Sequence, residues 1–444
     1  MKISIIGTGY VGLVSGVCLA YKGHDVTCVD VDPKKIAMIR RGQPPIYEEG
    51  LEALLEQVNG SSFSVTDDIE HAVLDTDLTM IAVGTPFDGK RIDLAFINTA
   101  AEQIGKALLQ KDNYHVVVVK STVIPGTTDG VVLATLEEYS GKTAGKDFGL
   151  GMNPEFLTEG VAIRDFMSPD RIVVGGIDKR SRDTLREVYA GFPDVPVVET
   201  NTRTAELIKY ASNALLATMI SFSNELAALA SSVGDIDCSE VMHGLHLSEY
   251  LTFSDQGTLR KAKITSFLNP GCGFGGSCLP KDVKALVAQG QAYGLSMGLL
   301  EQVIRVNQEQ PRQMLELLKR HQPELSGRTI GILGLSFKEG TDDMRESPAI
   351  SIIDRLIAED ARIVAYDPIA IPVARNMLPA AVRYANGLKD VIRSADALLL
   401  ITRWEEFLEV PELLKKLGRD DLLIVDGRRF IDRQAVRNYE GIGL

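Results

Sequence analysis

The chain reads as an α/β protein built from two Rossmann-like doubly wound domains joined by a long central helix. Three observations predict this. Residues 2–7 (KISIIG) form an apolar, β-branched run ending in glycine, followed by a helical pattern and a second strand, Val26–Asp30, that ends in an acid. Strand, glycine turn, helix and strand make the βαβ unit of a parallel sheet. Residues 328–334 (RTIGILG) open the same series, which closes at Arg362–Asp367. Between the two ends, Arg203 to Val233 runs for 31 residues without Gly or Pro.

In the first domain, further buried-strand runs are expected at Leu78–Val83, His115–Lys120, Phe148–Met152, Arg171–Gly175 and Val195–Glu199. Helical patterns at Leu94–Leu109 and Gly130–Glu138 separate some of them. The second domain continues with Ala397–Thr402 and Leu422–Asp426. In the middle segment Leu207, Ala211, Leu215, Met219, Phe222, Leu226 and Leu229 recur at helical spacing. One helix there would span roughly 46 Å at about 1.5 Å per residue. Such a helix suits a crossing between domains or packing against its copy in a dimer; two helices with an unmarked break are the alternative.

With 444 residues, 45% hydrophobic and 24% charged, the chain has the composition of a globular protein of two to three domains. The formal net charge of −13 argues against nucleic acid or an anionic membrane as partner. A phosphorylated substrate remains compatible, because a pocket can be locally cationic. No run approaches 18 uninterrupted apolar residues, and MKISIIG leads straight into a strand pattern rather than a signal peptide. The five cysteines, Cys18, Cys28, Cys238, Cys272 and Cys278, include no CxxC pair. Free thiols in a cytoplasmic protein, with no metal site, are the expectation.

Gly7-Thr8-Gly9-Tyr10-Val11-Gly12 is a GxGxxG turn. Alone it is a weak match. Here it follows a strand, opens a helix, and precedes Asp30 by 18 residues, close to the spacing of an NAD site. Gly7 permits the tight turn, Gly9 the approach of a pyrophosphate, and Gly12 the packing of helix on strand. Asp30 would accept from the adenosine ribose and repel a 2′-phosphate, which favours NAD over NADP; Lys34 and Lys35 lie just beyond and weaken that preference. Gly7, Gly9, Tyr10, Val11, Gly12, Asp30 and Lys35 are candidate cofactor contacts. Thr85, Pro86 and Thr122, at the ends of two later strands, are others, unless they are plain strand-ending turns.

The segment with most chemistry is Gly271 to Asp282 (GCGFGGSCLPKD). Cys278 stands between a glycine run and a helix expected to start at Pro280–Asp282, with Lys281 nearby. That setting lowers a thiol pKa and suits a nucleophile. Glu155 and Glu159 follow a buried strand, and Lys209 and Asn213 are four apart on one helix face. Each also has a structural reading, as helix-start carboxylates or a solvated lysine.

GxGxxG at 7–12, NPEFLTEG at 153–160, KYASN at 209–213, FGGSCLPKD at 274–282, GLSFKEGTDDMRESPA at 334–349 and DGR at 426–428 occur in that order. Together they resemble the UDP-glucose/GDP-mannose dehydrogenase family over nearly the whole chain. The resemblance implies an NAD-binding domain at 1–200, a central helical dimerisation segment with the cysteine loop at 201–300, and a nucleotide-sugar-binding domain at 301–444. It implies four-electron oxidation of a sugar C6 hydroxyl with two NAD, in a homodimer or larger homo-oligomer. Cys278 would be the nucleophile, Lys209 and Asn213 the oxyanion site, and Asp282 the aid to proton or water chemistry, with Thr122 nearby. Glu155 would be an acid/base group. Glu155, Phe156, Leu157, Glu159, Lys209, Asn213, Phe267, Leu268, Gly271, Gly275, Lys338 and Arg428 would contact the substrate. Glu159, Lys281 and Arg345 would contact NAD.

The stretches at 169–171, 402–407 and 426–428 look more like the UDP-glucose branch, with GDP-mannose or a UDP-N-acetylhexosamine as alternatives. One departure stands out: the Arg-Ile-Gly usual before the Phe-Leu of UDP-glucose enzymes is absent from Lys261–Leu268. A two-electron β-hydroxyacid dehydrogenase would share the Lys–Asn pair but has no use for GGSCLPKD. An NAD-binding redox sensor using Cys278 is the non-enzyme alternative; Lys209, Asn213 and Asp282 speak against it.

Overall fold

The computed structural model describes residues 1–255 and 258–444. The chain divides into two compact units, Met1–Ser212 and Asn213–Leu444.

The first unit holds strands β1 (Lys2–Ile6), β2 (Asp25–Val29), β3 (Phe63–Thr66), β4 (Leu78–Ile81), β5 (Val116–Val119), β6 (Gly149–Met152), β7 (Ile172–Gly176) and β8 (Val197–Thr200). They form one eight-stranded sheet in the order β3-β2-β1-β4-β5-β6-β7-β8. The first six strands are mutually parallel, and their 3-2-1-4-5-6 order is that of a dinucleotide-binding fold. Strand β5 shows why: four valines, buried on both faces, suit only the interior of a covered parallel sheet. Val116 and Val118 join one core with Leu13, Val17 and Phe63. Val117 and Val119 join the opposite core with Ile97, Ile104 and Leu136.

Two features differ from the sequence expectation. Strand β7 pairs antiparallel with β6, so the sheet is not parallel throughout. The chain leaves β6, makes only the short helix Ala162–Met167, and returns from the same end of the sheet. The whole connection, residues 153–171, therefore stays at the carboxyl ends of β1–β6, beside the glycine turn. The other difference is at 127–132, where a π-helical turn precedes the helix Leu133–Ser140.

The second unit has a two-stranded hairpin, β9 (Thr252–Asp255) and β10 (Thr258–Lys261), and a six-stranded sheet. The sheet comprises β11 (Thr329–Leu333), β12 (Arg362–Tyr366), β13 (Arg383–Tyr384), β14 (Ala397–Leu400), β15 (Leu423–Asp426) and β16 (Tyr439–Gly441). All its pairings are parallel, in the order β13-β12-β11-β14-β15-β16, which repeats the 3-2-1-4-5-6 arrangement.

The division between the units falls inside one unbroken helix, Thr202–Val233. Strong helix formers and the absence of Gly and Pro keep it continuous. By length and composition it could cross a membrane. It is amphipathic, however: Ala205, Tyr210, Ala214, Ala217, Ala227 and Ala230 are buried, while Leu207, Leu215, Phe222 and Leu229 are exposed. Two charged residues, Glu206 and Lys209, are also buried.

Candidate active site

In the first unit the glycine turn follows β1. Gly7 has φ +103°, and a Cβ there would lie 2.7 Å from the Ala82 carbonyl oxygen. A Cβ on Gly12 would lie 2.0 Å from the Gly7 carbonyl oxygen, so the helix Tyr10–Tyr21 packs on the turn only because residue 12 has none. A Cβ on Gly9 would meet nothing within 4 Å. Gly9 thus faces open space at a helix N-terminus, the cradle a pyrophosphate requires. Val11 is half-buried in the first turn.

Asp30 stands just past β2. Its Oδ2 accepts from the Thr8 amide (2.9 Å) and hydroxyl (2.5 Å), and its Oδ1 from the Asp32 amide (3.0 Å). Lys35 is 4.0 Å away. Burial alone would raise the Asp30 pKa, but the Thr8 hydroxyl, these amides and Lys35 hold it below the usual carboxylate value. The residues present therefore fit the adenosine half of NAD.

The Tyr10 hydroxyl is turned to other partners. It donates to Glu48 and accepts from the Gly160 amide (3.0 Å). Glu48, which sequence reasoning missed, also accepts from the Gly160 and Ala162 amides (2.7 and 2.6 Å). This ties the start of the cofactor helix to the 153–160 turn. The Thr85 hydroxyl donates to the Thr122 carbonyl (2.8 Å), joining the loops after β4 and β5, and Pro86 beside it is exposed.

The 153–160 turn carries Glu155, which is buried and forms a 2.8 Å ion pair with Lys209 of the long helix. It also accepts from the Leu157 amide (2.6 Å). Burial pushes the Glu155 pKa up, but Lys209, this amide and Lys120 outweigh it and hold the group ionised. The Phe156 ring lies under the Arg171 guanidinium, 3.9 Å from its centroid, with the Lys209 ammonium at 5.6 Å. Leu157 and Glu159 are half-buried. Sequence reasoning brought Glu155 and Lys209 forward separately; their pairing joins positions 54 apart, which no local spacing reveals.

In the second unit Asn213 donates to Asp282 Oδ2 (2.6 Å), and Lys281 pairs with Asp282 Oδ1 (2.6 Å). Asp282 is 1% exposed, and each of its carboxylate oxygens has one of these two partners. Cys278 is exposed and occupies the N-cap of the helix Leu279–Ala292; the other four cysteines are buried. Two of the glycines before it are packed against backbone. A Cβ on Gly275 would lie 2.3 Å from the Glu346 carbonyl oxygen, and one on Gly271 would lie 3.1 Å from that of Gly427.

Phe267 is half-buried and Leu268 buried, the latter's carbonyl hydrogen-bonded to His246 Nε2 (2.9 Å). Arg345 is exposed and forks onto Asp343 (2.9 and 2.7 Å). At the carboxyl ends of β14 and β15, Arg428 donates to the carbonyls of Ile401 (2.6 Å) and Gly273 (2.9 Å). Burial, and then Arg428 itself, pull the neighbouring Arg403 below the usual guanidinium range, against Glu339 and Asp426. Lys338 lies on the loop after β11, its ammonium 5.8 Å from the Phe337 ring. Cations at the carboxyl ends of a parallel sheet suit a diphosphate. No cluster with metal-ligand geometry occurs among the described residues.

Two sheets of dinucleotide-binding order, one with an open glycine turn and an acid just past its second strand, have the form of an NAD-binding protein. Known proteins narrow the class. Residues 1–193, 203–309 and 331–433 match, respectively, the NAD binding, central and UDP binding domains of the UDP-glucose/GDP-mannose dehydrogenase family. A UDP-glucose 6-dehydrogenase of Haloferax volcanii is 41% identical, covering 100% of both chains. A GDP-mannose 6-dehydrogenase of Pseudomonas aeruginosa is 39% identical over 97% of this chain and 96% of its own. A solved UDP-glucose dehydrogenase of Pyrobaculum islandicum superposes with TM-score 0.89 at 37% identity, covering 100% of this chain and 97% of its own. The chain belongs to this family and is an NAD-dependent nucleotide-sugar 6-dehydrogenase.

Proposed function

We propose that the chain oxidises the C6 hydroxyl of UDP-glucose to the carboxylate of UDP-glucuronate, with Cys278 as nucleophile. The observation that carries this reading is that Cys278 alone of the five thiols is exposed, and that it sits at a helix N-terminus, which favours the thiolate. Gly7, Gly9, Gly12 and Asp30 would hold NAD, which when bound supplies the hydride acceptor for each of the two oxidations.

Oxidation of the alcohol releases a hydride and a proton. Glu155, held ionised, would receive that proton. Attack of the Cys278 thiolate on the aldehyde carbon forms a thiohemiacetal. Lys209 and Asn213 would stabilise its oxyanion; one such donor is worth about 3–4 kcal/mol. Loss of a second hydride leaves a thioester. Water cleaves it to the carboxylate and returns the thiol; Asp282, which accepts from Asn213, would orient that amide and assist the water. Lys338 and Arg428 would meet the diphosphate, with Phe267, Leu268, Gly271 and Gly275 forming the loop over the nucleotide sugar. Thr85, Pro86, Thr122, Glu159, Lys281 and Arg345 would complete the contacts.

Whole-length similarity to UDP-glucose 6-dehydrogenases supports UDP-glucose. The altered Lys261–Leu268 stretch keeps GDP-mannose or a UDP-N-acetylhexosamine as the second reading. The exposed Leu207, Leu215, Phe222 and Leu229 on one helix support a homodimer, and the free thiols support a reducing cytoplasm.

The test is NADH absorbance with limiting UDP-glucose, GDP-mannose or UDP-N-acetylhexosamine. Two NADH per UDP-glucose are expected, and none from Cys278→Ser beyond the aldehyde stage. One NADH per sugar in the native protein would remove the role given to Cys278.

A further inference from the structure

Lys120 ends the run of valines in β5 and was not among the candidate site residues. Its side chain turns inward and is 3% exposed. The ammonium donates to Asn153 Oδ1 at 2.8 Å and lies 3.4 Å from the Tyr189 hydroxyl. Tyr189 donates to the same Asn153 oxygen (2.5 Å), and Asn153 Nδ2 donates to the Val173 carbonyl (2.9 Å). Asn153 is therefore fixed through both ends of its amide, and it is the first residue of the turn that carries Glu155.

The hydrogen-bond partners of Lys120 are neutral. A buried ammonium without a carboxylate in contact is costly, and an apolar side chain of similar length would fill the space at less cost. The charged groups facing it are Glu155, from the 153–160 turn, and Lys209, from the long helix. Burial, with Lys209 adding to it, pulls the Lys120 pKa down to about 8 against the pull of Glu155. In return, Lys120 is one of the cations that hold the Glu155 carboxylate ionised.

We propose that Lys120 is a positioning residue for the oxidation: through Asn153 it fixes the turn that holds Glu155, and its charge balances Glu155 when Lys209 serves the reacting oxygen. The inference rests on the roles given above to Glu155 and Lys209. Lys209 cannot neutralise a buried carboxylate and an oxyanion equally well at once. A second cation behind the carboxylate relieves that conflict without touching the substrate.

The test uses the full chain with Lys120→Gln, which keeps a donor for Asn153 but no charge, and Lys120→Arg, which keeps the charge. Lys120→Gln should bind NAD within about twofold of the native protein and lose about tenfold or more in kcat. Its acid limb in kcat/KM should move up by about one pH unit, because Glu155 loses a cation. Lys120→Arg should recover most of the kcat and return the limb. Unfolding followed from pH 8 to 10 supplies a readout independent of turnover. A lysine titrating near 8 when folded and near 10.5 when unfolded makes stability rise with pH across that window, and Lys120→Gln should flatten the rise. A folded Lys120→Gln with native kcat, or with reduced kcat and an unmoved acid limb, overturns the proposal. Failure of the proposed function shows differently, as no NADH from the native protein with any of the three donors. The coupling is then read from unfolding alone, where an unchanged slope overturns it.

Discussion

Strands β1 and β11 hold the same place in two sheets of the same order, and each ends in a glycine of positive φ, Gly7 at +103° and Gly334 at +95°. The residues after these glycines differ. Two positions on, the first unit has Gly9, open to space, and the second has Ser336, 0% exposed, whose carbonyl accepts from the Thr402 hydroxyl (2.6 Å). The acids just past each second strand differ in the same sense. Asp30 supports the turn mainly through Thr8. Asp367, 1% exposed, accepts from the amides of Leu335, Ser336, Ile369 and Ala370, from the Ser336 hydroxyl and from Trp404 Nε1. The second helix begins only at Pro348, capped by Ser347. The same topology can thus leave the acid after its second strand beside an open turn or use it to close the turn, and side chains two or three residues past the glycine decide which.

Removing each acid should separate the two uses. Asp367→Ala strands several buried donors, so it should cost about 3 kcal/mol or more of stability and lower the Tm by roughly 6–12 °C. NAD affinity of the protein that remains folded should be unchanged. A Tm within about a degree of native would mean that the second turn does not depend on its acid. Gly9→Ala should do the reverse: an unchanged Tm, because its Cβ meets nothing, with NAD binding weakened about a hundredfold, read by NADH fluorescence titration. Asp30→Ala should weaken NAD about thirtyfold, near 2 kcal/mol, and narrow the preference over NADP. An unaltered NAD/NADP ratio would remove Asp30 from ribose recognition.

The smallest effect is in pH. The folded pKa of Asp30 lies below its unfolded value, so its contribution to stability is complete above about pH 4 and is lost as pH falls through the folded pKa. Chemical denaturation of native and Asp30→Asn proteins between pH 6 and 3 should diverge by less than about 1 kcal/mol, the native losing more on acidification.

The glycine turn, Asp30 and the long helix were legible in the sequence because each is a local pattern: a spacing of a few residues, or an unbroken periodicity. The Rossmann-like character of both ends was legible for the same reason. The direction of β7 was not, since IVVGG reads alike up or down a sheet, and only the short connection before it sets the direction. The charges behind the turn were hidden for another reason. Lys120 and Asn153 are 33 positions apart, and Tyr10 and Glu48 are 38 apart. A lysine closing a valine run looks like the polar end of a strand until its partner is known. The one usable sign was chemical: a charged residue directly after a strand buried on both faces must emerge or find partners inside.

The reversed strand has a consequence for behaviour in a crowded solution. By pairing with β6, β7 covers a flank that would otherwise stand as an unpaired strand edge in the first sheet. The strands left at the sheet margins are short. Strands β3 and β8 have four residues each, with Glu199 in β8, and β13 and β16 have two and three, with Arg383 and Glu440. Margins so brief, most of them carrying charge, give another chain little backbone to zip onto, so both sheets resist edge-to-edge growth into fibres.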